Sequence, residues 1–389
     1  MEYRKLKELA TISISNVDKK TAENEKTVRL CNFVDVYRNW AITENMIPNF
    51  MIASAKENEI EKYALHKGDV CITKDSETKD DIGMSTYIAD DIDGLVLGYH
   101  CALISPDKSV LDGKYLNAFL QTDFVRKFYE LNASGSGQRY TLSLDAIGEI
   151  PIPVISLEEQ KRKGELLSLI DRKIENNNKI NDNLCEQIQL LYLYLFNHPS
   201  VPERWNKGVL SDIADITMGQ SPAGDSYNDA GKGVPFYQGS TDFGTHFPSI
   251  RMYTTKPSRY ASVADTLLSV RAPVGSLNTA FEDCCIGRGL AAIHGKHNNN
   301  TFVRYTLKNN KWYFDNINNS GTTFGSITKD YLYGMPVIIP DSESILVFER
   351  QASLMERQIY DNEQQSRELQ GLRDWLLPML MSGQATIAD

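Results

Sequence analysis

The sequence predicts an α+β protein built from two similar domains, each a mixed α/β fold with a twisted β-sheet, and two long helices that form a coiled-coil spacer. Two observations predict this fold. Short patterns from the first half recur in the same order in the second half, and each half ends in a charged, leucine-spaced segment of close to 40 residues. Such a repeat indicates a duplicated unit with an internal pseudo-two-fold relation.

The repeat consists of five matched pairs of segments. They are LKELATI (6–12) with LSDIADI (210–216), KGDVCIT (67–73) with VADTLLS (263–269), GYHCALI (98–104) with GRGLAAI (287–293), YLNAFL (115–120) with FVRYTL (302–307), and TLSLDAIGEIPIPV (141–154) with SITKDYLYGMPVII (326–339). The offset between copies falls from 204 to 185 residues along the chain, so the second copy is a shortened version of the first.

Each copy has the same predicted order of elements. Short β-branched or aromatic runs, broken by glycine and aspartate, predict strands. An amphipathic helix, a glycine-rich turn and a proline-containing strand come next, and a long helix ends the copy. The predicted domains are therefore residues 1–155, the first long helix at 156–198, a second domain at 199–341, and the second long helix at 342–389.

The two long helices are predicted at about 157–196 and 343–381, each about 60 Å long at 1.5 Å per residue. Steps of three and four residues, typical of a coiled coil, define the seam. The seam residues are Leu166, Ile170, Ile174, Asn177, Leu184, Ile188 and Leu191 in the first helix and Ile359, Asn362, Leu369, Leu376 and Leu380 in the second.

Asparagine occupies the seam near the middle of both helices, at Asn177 and Asn362. A buried polar pair fixes register at some cost in stability, so we expect the two side chains to face one another. Replacing both with leucine should then raise stability and loosen the choice of register or partner. The alternative is that each helix only covers the sheet of its own domain. The length of both helices favours the pair, because the average globular helix has about 11–12 residues.

The composition is that of a globular protein, with 41% apolar and 24% charged residues among 389. No apolar run reaches the roughly 18 residues of a membrane span, and the first residues lack the apolar core of a signal peptide, so we expect a cytoplasmic protein. The six cysteines include no C-x-x-C pair and are expected to be reduced thiols. The net charge of −10 is uneven, and only residues 201–335 are net positive. Any contact with nucleic acid must therefore come from local patches or from a partner's surface.

A molecule with two similar halves can bind two copies of one partner or the two halves of a nearly symmetric target. Duplex DNA is such a target because its strands run in opposite directions. Two readers joined by a rigid spacer would contact two short segments with a fixed gap between them.

Several segments resemble the specificity subunit of type I restriction–modification enzymes. They are IPIPVISLEEQKRK (150–163), LRDWLLPMLMSGQ (372–384), and VLSDIADITMGQSP (209–222) followed by GVPFYQGSTDFG (233–244). In that family, two target recognition domains are each followed by a long helix, and the helices form an antiparallel spacer. The segment PDSESILVFERQ (340–351) departs from the family pattern at the start of the second helix.

The resemblance implies a DNA reader without catalytic activity. Its partners would be double-stranded DNA, two adenine methyltransferase subunits bound through the helices, and translocating restriction subunits in the full complex. It implies no cofactor in this chain, since S-adenosylmethionine and ATP would be bound by the partner subunits. The chain has no N-P-P-Y or D-P-P-Y tetrapeptide, no G-x-G-x-x-G and no G-x-x-x-x-G-K-[ST]. A methylase or nuclease active site within the chain is therefore not expected.

Residue type and predicted loop position select candidate DNA contacts, because phosphates take Lys, Arg, Ser and Thr while base edges favour Arg, Gln and Asn. They are Lys74, Lys79, Gln138, Arg139 and Tyr140 in the first half, and Gln220, Ser221, Tyr237, Gln238, Arg271, Arg288, Thr322 and Thr323 in the second. No metal site is expected: His294 and His297 have a possible ligand spacing, but no cysteine or carboxylate cluster accompanies them.

A duplicated protein-interaction scaffold without DNA binding is the alternative, which the acidic net charge favours. The doubled recognition-domain pattern favours the DNA reader. Dissimilar front portions predict that the two DNA half-sites differ, and thus an asymmetric split motif. The sequence leaves open the bases read by each half, the loop residues that contact them, the presence of nuclease subunits, and the oligomeric state of the isolated chain.

Overall fold

The computed structural model describes residues 2–136, 139–197, 205–319 and 326–387. The chain forms two compact units. The first contains Met1–Asn177 and Gln365–Asp389, and the second contains Asn178–Gln364. Each unit therefore holds one α/β domain and one part of each long helix.

The first unit has thirteen strands in its described part. They are β1 (Glu2–Lys5), β2 (Ala10–Ile14), β3 (Lys26–Cys31), β4 (Ala41–Ile42), β5 (Met51–Ala55), β6 (Val70–Thr73), β7 (Asp75–Ser76), β8 (Ser85–Ile88), β9 (Leu95–Leu97), β10 (Cys101–Pro106), β11 (Ser134–Ser136), β12 (Arg139–Thr141) and β13 (Pro151–Val154). The helices are α1 (Phe33–Arg38), α2 (Glu57–Tyr63), α3 (Gly113–Leu120), α4 (Asp123–Asn132), α5 (Leu144–Gly148) and the first long helix, α6 (Leu157–Phe196), which continues into the second unit.

Two main sheets make up the first domain. The larger has the order β2-β10-β6-β8-β4, and the smaller has the order β5-β3-β9. A hairpin, β11-β12, extends through β7, and β1 pairs with β13. The helices α3 and α4 begin at capping residues: Asp112 accepts a hydrogen bond from the Tyr115 amide at 3.0 Å, and Thr122 accepts one from Val125 at 3.4 Å. The apolar faces of these helices pack on the larger sheet and close the main core.

The second unit has the same plan with fewer residues. Its strands are β14 (Asn206–Val209), β15 (Ala214–Met218), β16 (Tyr227–Asn228), β17 (Val234–Tyr237), β18 (Tyr253–Thr254), β19 (Tyr260–Ala261), β20 (Thr266–Ser269), β21 (Leu277–Thr279), β22 (Cys284–Ile286), β23 (Leu290–Gly295) and β24 (Pro336–Ile339). Its helices are α7 (Leu210–Ile213), α8 (Asn300–Asn309), α9 (Lys311–Asn319), α10 (Lys329–Tyr333) and the second long helix, α11 (Ser342–Ser382), which ends in the first unit. The sheet orders are β15-β23-β20-β21, β16-β18-β17-β22-β19 and β14-β24.

The internal repeat is confirmed by backbone hydrogen bonds that recur at matched positions in the two units. Four pairs of bonds illustrate it: Leu6 N–H to Ile150 C=O (2.9 Å) and Leu210 to Met335 (2.8 Å); Gly98 to Cys31 (2.8 Å) and Gly287 to Tyr237 (2.8 Å); Lys74 to His100 (2.9 Å) and Val270 to Gly289 (2.9 Å); Leu142 to Lys74 (2.8 Å) and Ile327 to Val270 (2.9 Å). Because these bonds fix strand pairing, the duplicated sequence encodes a duplicated fold.

Within each unit the two long helices pack against each other and run in opposite directions. In the first unit the Lys163 ammonium donates to the Leu380 carbonyl at 2.7 Å, while Asp171, further along α6, accepts from Arg373 at 2.8 Å. In the second unit, Tyr192 near the end of α6 lies against Phe348 near the start of α11, with ring centroids 5.8 Å apart. The predicted pair of long antiparallel helices is therefore confirmed.

The seam residues lie on the packed sides of the two helices. Ile170, Ile174, Asn177, Ile188, Ile359, Asn362 and Leu380 are buried, and Leu166, Leu184, Leu191, Leu369 and Leu376 are half-buried. The seam also holds charged groups that apolar spacing does not reveal. The Lys163 side chain is only 1% exposed and also pairs with Glu159 at 2.8 Å. Burial raises the pKa of the Asp171 carboxyl in spite of the neighbouring Arg373.

Both seam asparagines take part in hydrogen bonds between the helices. Asn177 donates to Gln365 at 3.0 Å and to Ser366 at 3.1 Å, and Asn362 donates to Asn181 at 2.8 Å. Direct pairing of Asn177 with Asn362 stays a prediction. From these contacts we expect leucine at both positions to lower stability rather than raise it. Leucine at position 362 would leave the buried Asn181 oxygen without this donor.

The described cysteines are free thiols, and burial raises the pKa of Cys31, Cys71 and Cys101 in the first unit. None of the helices in the described part of the chain combines the length and the hydropathy of a membrane span.

Candidate nucleic-acid interface

In the second unit, four strands end at one edge of the two sheets. The parallel strands β17 and β22 end together, with Tyr237 opposite Ile286. The strands β15 and β20 both run antiparallel to β23 and end near its first residue, Leu290. The loops after these strands therefore emerge at the same place. We call this edge the second rim; its polar residues are Gln220, Ser221, Gln238, Arg259, Arg271 and Arg288.

The backbone of the second rim is tightly held around Arg288. A Cβ on Gly289 would lie 2.3 Å from the Gln238 carbonyl oxygen, and one on Gly287 would lie 3.2 Å from the Gln238 Cα. Only glycine permits the closer approach, at position 289, so Arg288 is presented on a turn packed against the end of β17. On the other side, the Gln220 N–H donates to the Ile286 carbonyl at 3.0 Å.

Three arginines of the second rim are exposed, and their guanidinium groups have no partner within the described ranges: Arg259, Arg271 and Arg288. Gln220 and Gln238 are exposed beside them, and Ser221 is half-buried. The rim thus presents donors for phosphates and base edges.

The first unit has the matching edge. Here the parallel strands β3 and β9 end together, with Cys31 opposite Leu97, and β6 ends where β10 begins. We call this edge the first rim; its residues are Lys74, Asp75, Lys79, Tyr99, His100, Arg139 and Tyr140.

Asp75 organises the first rim. Its Oδ2 atom lies 2.7 Å from the Lys74 ammonium, 2.5 Å from His100 Nδ1 and 3.7 Å from Arg139 Nη2. Arg139 Nη2 also lies 2.9 Å from His100 Nε2, so the imidazole of His100 lies between Asp75 and Arg139. Burial acts to raise the pKa of Asp75, but hydrogen bonds from Lys74, Thr141 and His100 outweigh it, and the pKa lies below its ordinary value.

The rest of the first rim is aromatic and acidic. Lys79 lies over the Tyr140 ring, 5.3 Å from its centroid, and the Tyr99 ring is 3.9 Å from that of His100. His100 has a φ of 73°, a conformation that costs a non-glycine residue energy and is concentrated at functional sites. A cleft of about 530 Å³ opens beside Asp75, His100 and Arg139, and Tyr37 on its wall bonds Asp81 at 2.9 Å.

The structure brings most of the predicted contact residues to these two rims. Lys74, Lys79, Arg139 and Tyr140 lie on the first, and Gln220, Ser221, Gln238, Arg271 and Arg288 lie on the second. Gln138, Thr322 and Thr323 lie outside the described residues.

The prediction for Tyr237 is wrong. Its side chain is only 1% exposed, and the preceding Phe236 is equally buried. The strand β17 pairs in parallel with β22 and is covered on both faces, so the usual alternation of exposed and buried side chains does not apply.

Sequence reasoning missed Asp75, Tyr99, His100 and Arg259. The repeat carried a signal for two of them, since it aligns Gly98-Tyr99-His100 with Gly287-Arg288-Gly289. Arg259 carried none, because its position depends on the pairing of β19 with β22.

The two histidines considered as metal ligands have other roles. His294 Nδ1 lies 2.6 Å from Asp265, and His297 adopts a φ of 59° in a turn. Among the described residues, no three His, Cys, Asp or Glu side chains converge as metal ligands would.

Comparison with known proteins agrees with this architecture. Residues 1–186 match the family model of the type I restriction modification DNA specificity domain. A Methanocaldococcus jannaschii protein that carries the name of the MjaX type I restriction enzyme specificity subunit is 28% identical over 86% of this chain and 83% of its own length. The HindI specificity subunit of Haemophilus influenzae is 19% identical over 83% of this chain and 88% of its own.

Among solved structures, the type I restriction–modification S subunit from M. genitalium superposes with a TM-score of 0.62 at 14% identity, covering 97% of this chain and 95% of the other. This likeness shows that the fold is shared, with two α/β domains and two long helices in one chain. Both relatives carry the name of a type I restriction enzyme specificity subunit, and this chain resembles them along more than four fifths of its length.

Proposed function

We propose that each unit reads one half of a split, asymmetric DNA motif and that the chain has no catalytic activity of its own. The observation that supports this proposal is that the same sheet edge occurs in both units but has different side chains in each. Asp75 pairs with Thr141 in the first unit, and at the matched position Arg271 pairs with Ser326. A buried, ion-paired carboxylate and an exposed arginine at equivalent places give the two rims different groups for base contacts, so we expect the two half-sites to differ.

The partners that best fit the long helices are two copies of one protein, the adenine methyltransferase subunit. Exposed apolar side chains recur at matched positions on the helices: Leu169 with Leu354, and Leu190 with Trp375. Each unit carries one member of each pair. Two equivalent apolar positions on a duplicated chain suit two identical partners.

The catalytic chemistry then belongs to those partners. S-adenosylmethionine would be bound by the methyltransferase subunits and ATP by the restriction subunits that join them. We place the assembled complex in the cytoplasm, with the host DNA. A protein-interaction scaffold without DNA binding is the competing function, and the acidic net charge of −10 is its main support.

The charge distribution favours a shared DNA interface. Two basic residues of the first rim, Lys74 and Arg139, are paired with Asp75, so this rim offers less free positive charge to phosphates than the second rim. We therefore expect the isolated chain to bind DNA poorly, and its complex with methyltransferase subunits to bind tightly and with a steep dependence on salt.

Fluorescence anisotropy with a labelled duplex tests how far DNA binding depends on the partner. The measurement is made with and without the methyltransferase subunit and over a range of salt concentrations. Tight specific binding by the isolated chain would show that the partners contribute little of the phosphate attraction. A complex that forms normally but shows no affinity for any duplex would support the scaffold instead.

A further inference from the structure

The arginines of the second unit fall into two groups. Arg251 and Arg304 are tied to carboxylates, the first to Asp242 and the second to Glu356 at 2.7 Å. The rim arginines Arg259, Arg271 and Arg288 are exposed without such a partner in the described part of the unit. A free guanidinium fork on a firmly held backbone is suited to bidentate recognition.

Among these three, Arg288 has the central place. It lies on the short connection between β22 and β23, and β22 lies between β17 and β19 while β23 lies between β15 and β20. In the sheet that contains β22, Gln238 follows β17 on one side and Arg259 precedes β19 on the other. In the sheet that contains β23, Gln220 follows β15 on one side and Arg271 follows β20 on the other. Arg288 is therefore flanked in each sheet by one glutamine and one arginine.

We infer that the second unit reads a guanine in its half-site through Arg288, while Arg259 and Arg271 contact flanking phosphates. This rests on the proposed function. The guanidinium of arginine matches the paired acceptors O6 and N7 of guanine in the major groove, and this is the commonest specific contact to a base. The glycines on both sides of Arg288 keep its backbone close to the rim, so the backbone that carries the side chain is already in place before binding.

The matched position in the first unit is Tyr99, which precedes His100 as Arg288 precedes Gly289. Tyrosine lacks the two parallel donors of arginine, so this guanine contact is assigned to the second unit alone. One half-site should therefore require the G·C pair that Arg288 reads. In the other half-site, the base at the matched position should not be read by an arginine.

The test is methylation by the complex of full-length chain and methyltransferase subunits on a DNA library randomised in both half-sites. For Arg288→Ala and Arg288→Lys we expect a loss of discrimination of about 5- to 150-fold at one base pair of one half-site. Lysine should restore it only in part, because its ammonium can contact O6 or N7 but lacks the two parallel donors of the guanidinium fork. Arg259→Ala and Arg271→Ala should weaken all sequences alike and lower the salt slope by about 1 each.

Uniform weakening by both Arg288 variants, with an unchanged motif, would overturn the inference and make Arg288 a phosphate contact. A wild-type motif whose altered half-site contains no G·C pair would overturn it as well. Both results leave the proposed function intact, which fails only if the wild-type complex methylates all library members equally. Unchanged circular dichroism and thermal unfolding would show that the variants are folded, as expected for an exposed residue.

Discussion

Substitution of Phe348 by alanine tests the packing of the long helices in the second unit. The Phe348 ring is 0% exposed and lies among aromatic rings from α6 and α8. Its centroid is 5.5 Å from that of Phe196, 5.8 Å from Tyr192 and 6.4 Å from Tyr305. These contacts join the start of α11 to the end of α6 and to the domain core.

The expected cost is about 3–5 kcal/mol, since a fully buried phenylalanine loses its transfer free energy and leaves a cavity that its neighbours fill only in part. The ring contacts place the value toward the upper end, because each aromatic pair adds about 0.5–1.5 kcal/mol beyond buried area. A loss of this size should appear as local opening of α8 and of the first turns of α11, since both pack on the same cluster.

Native-state hydrogen exchange measures this opening directly. Amides of α8 and of the start of α11 should exchange about 100- to 4,000-fold faster in Phe348→Ala than in the wild type. The matched control is Leu354→Ala on the same helix, whose side chain is 72% exposed and whose loss should change stability by less than about 0.5 kcal/mol. Equal, small effects of the two variants would refute the helix packing described here.

Two further predictions concern polar groups. Asn362→Leu should destabilise the second unit by about 1–3 kcal/mol, because it removes the donor to the buried Asn181 oxygen. The double variant Asn181→Leu with Asn362→Leu should recover part of that loss, since neither polar group is then left without its partner. Denaturant unfolding of both variants checks this, and equal stability of the single and double variants would contradict it. The depressed pKa of Asp75 means that its ionised form stabilises the fold above its unfolded pKa of about 4, and this contribution is lost as the pH falls through the lower folded pKa. The urea midpoint of the wild type should therefore fall more steeply with decreasing pH below about pH 4 than that of Asp75→Asn. If the two midpoints fell equally below this pH, ionisation of Asp75 would not contribute to stability.

The duplicated fold and the long helices could be predicted because both depend on local or periodic information. The seam of α6 and α11 follows from spacing along one helix, and it placed residues such as Ile188 and Ile359 in the interface. The repeat predicted equivalent strands because matched segments carry the same pattern of apolar residues.

The charged seam contacts could not be predicted. Lys163 reads as a solvated residue on a polar helix, and its burial depends on the Leu380 carbonyl 217 positions away. That carbonyl belongs to the last turn of α11, where the Gly383 N–H donates to it at 3.4 Å, and the cation from the neighbouring helix adds a shorter bond.

Only some residues of the two rims could be predicted, because local sequence shows where a turn lies but not which distant residues meet there. Arg271 and Arg288 follow apolar runs and precede proline or glycine, which places them in turns. The network at the first rim depends on contacts between distant segments: Asp75 meets His100 across 25 positions, and Tyr37 meets Asp81 across 44. Residue type alone predicts that Lys74 is free to contact a phosphate, whereas the fold pairs it with Asp75.

Genome-wide mapping of methylated adenines in the host, with and without this gene, tests whether the chain determines which DNA sequence is methylated. If the chain reads a split motif, one asymmetric two-part sequence should lose methylation when the gene is deleted and regain it on complementation. Complementation with the Arg288→Ala variant should alter only one part of that motif. If no split motif disappears on deletion, the chain does not set the specificity of a methyltransferase.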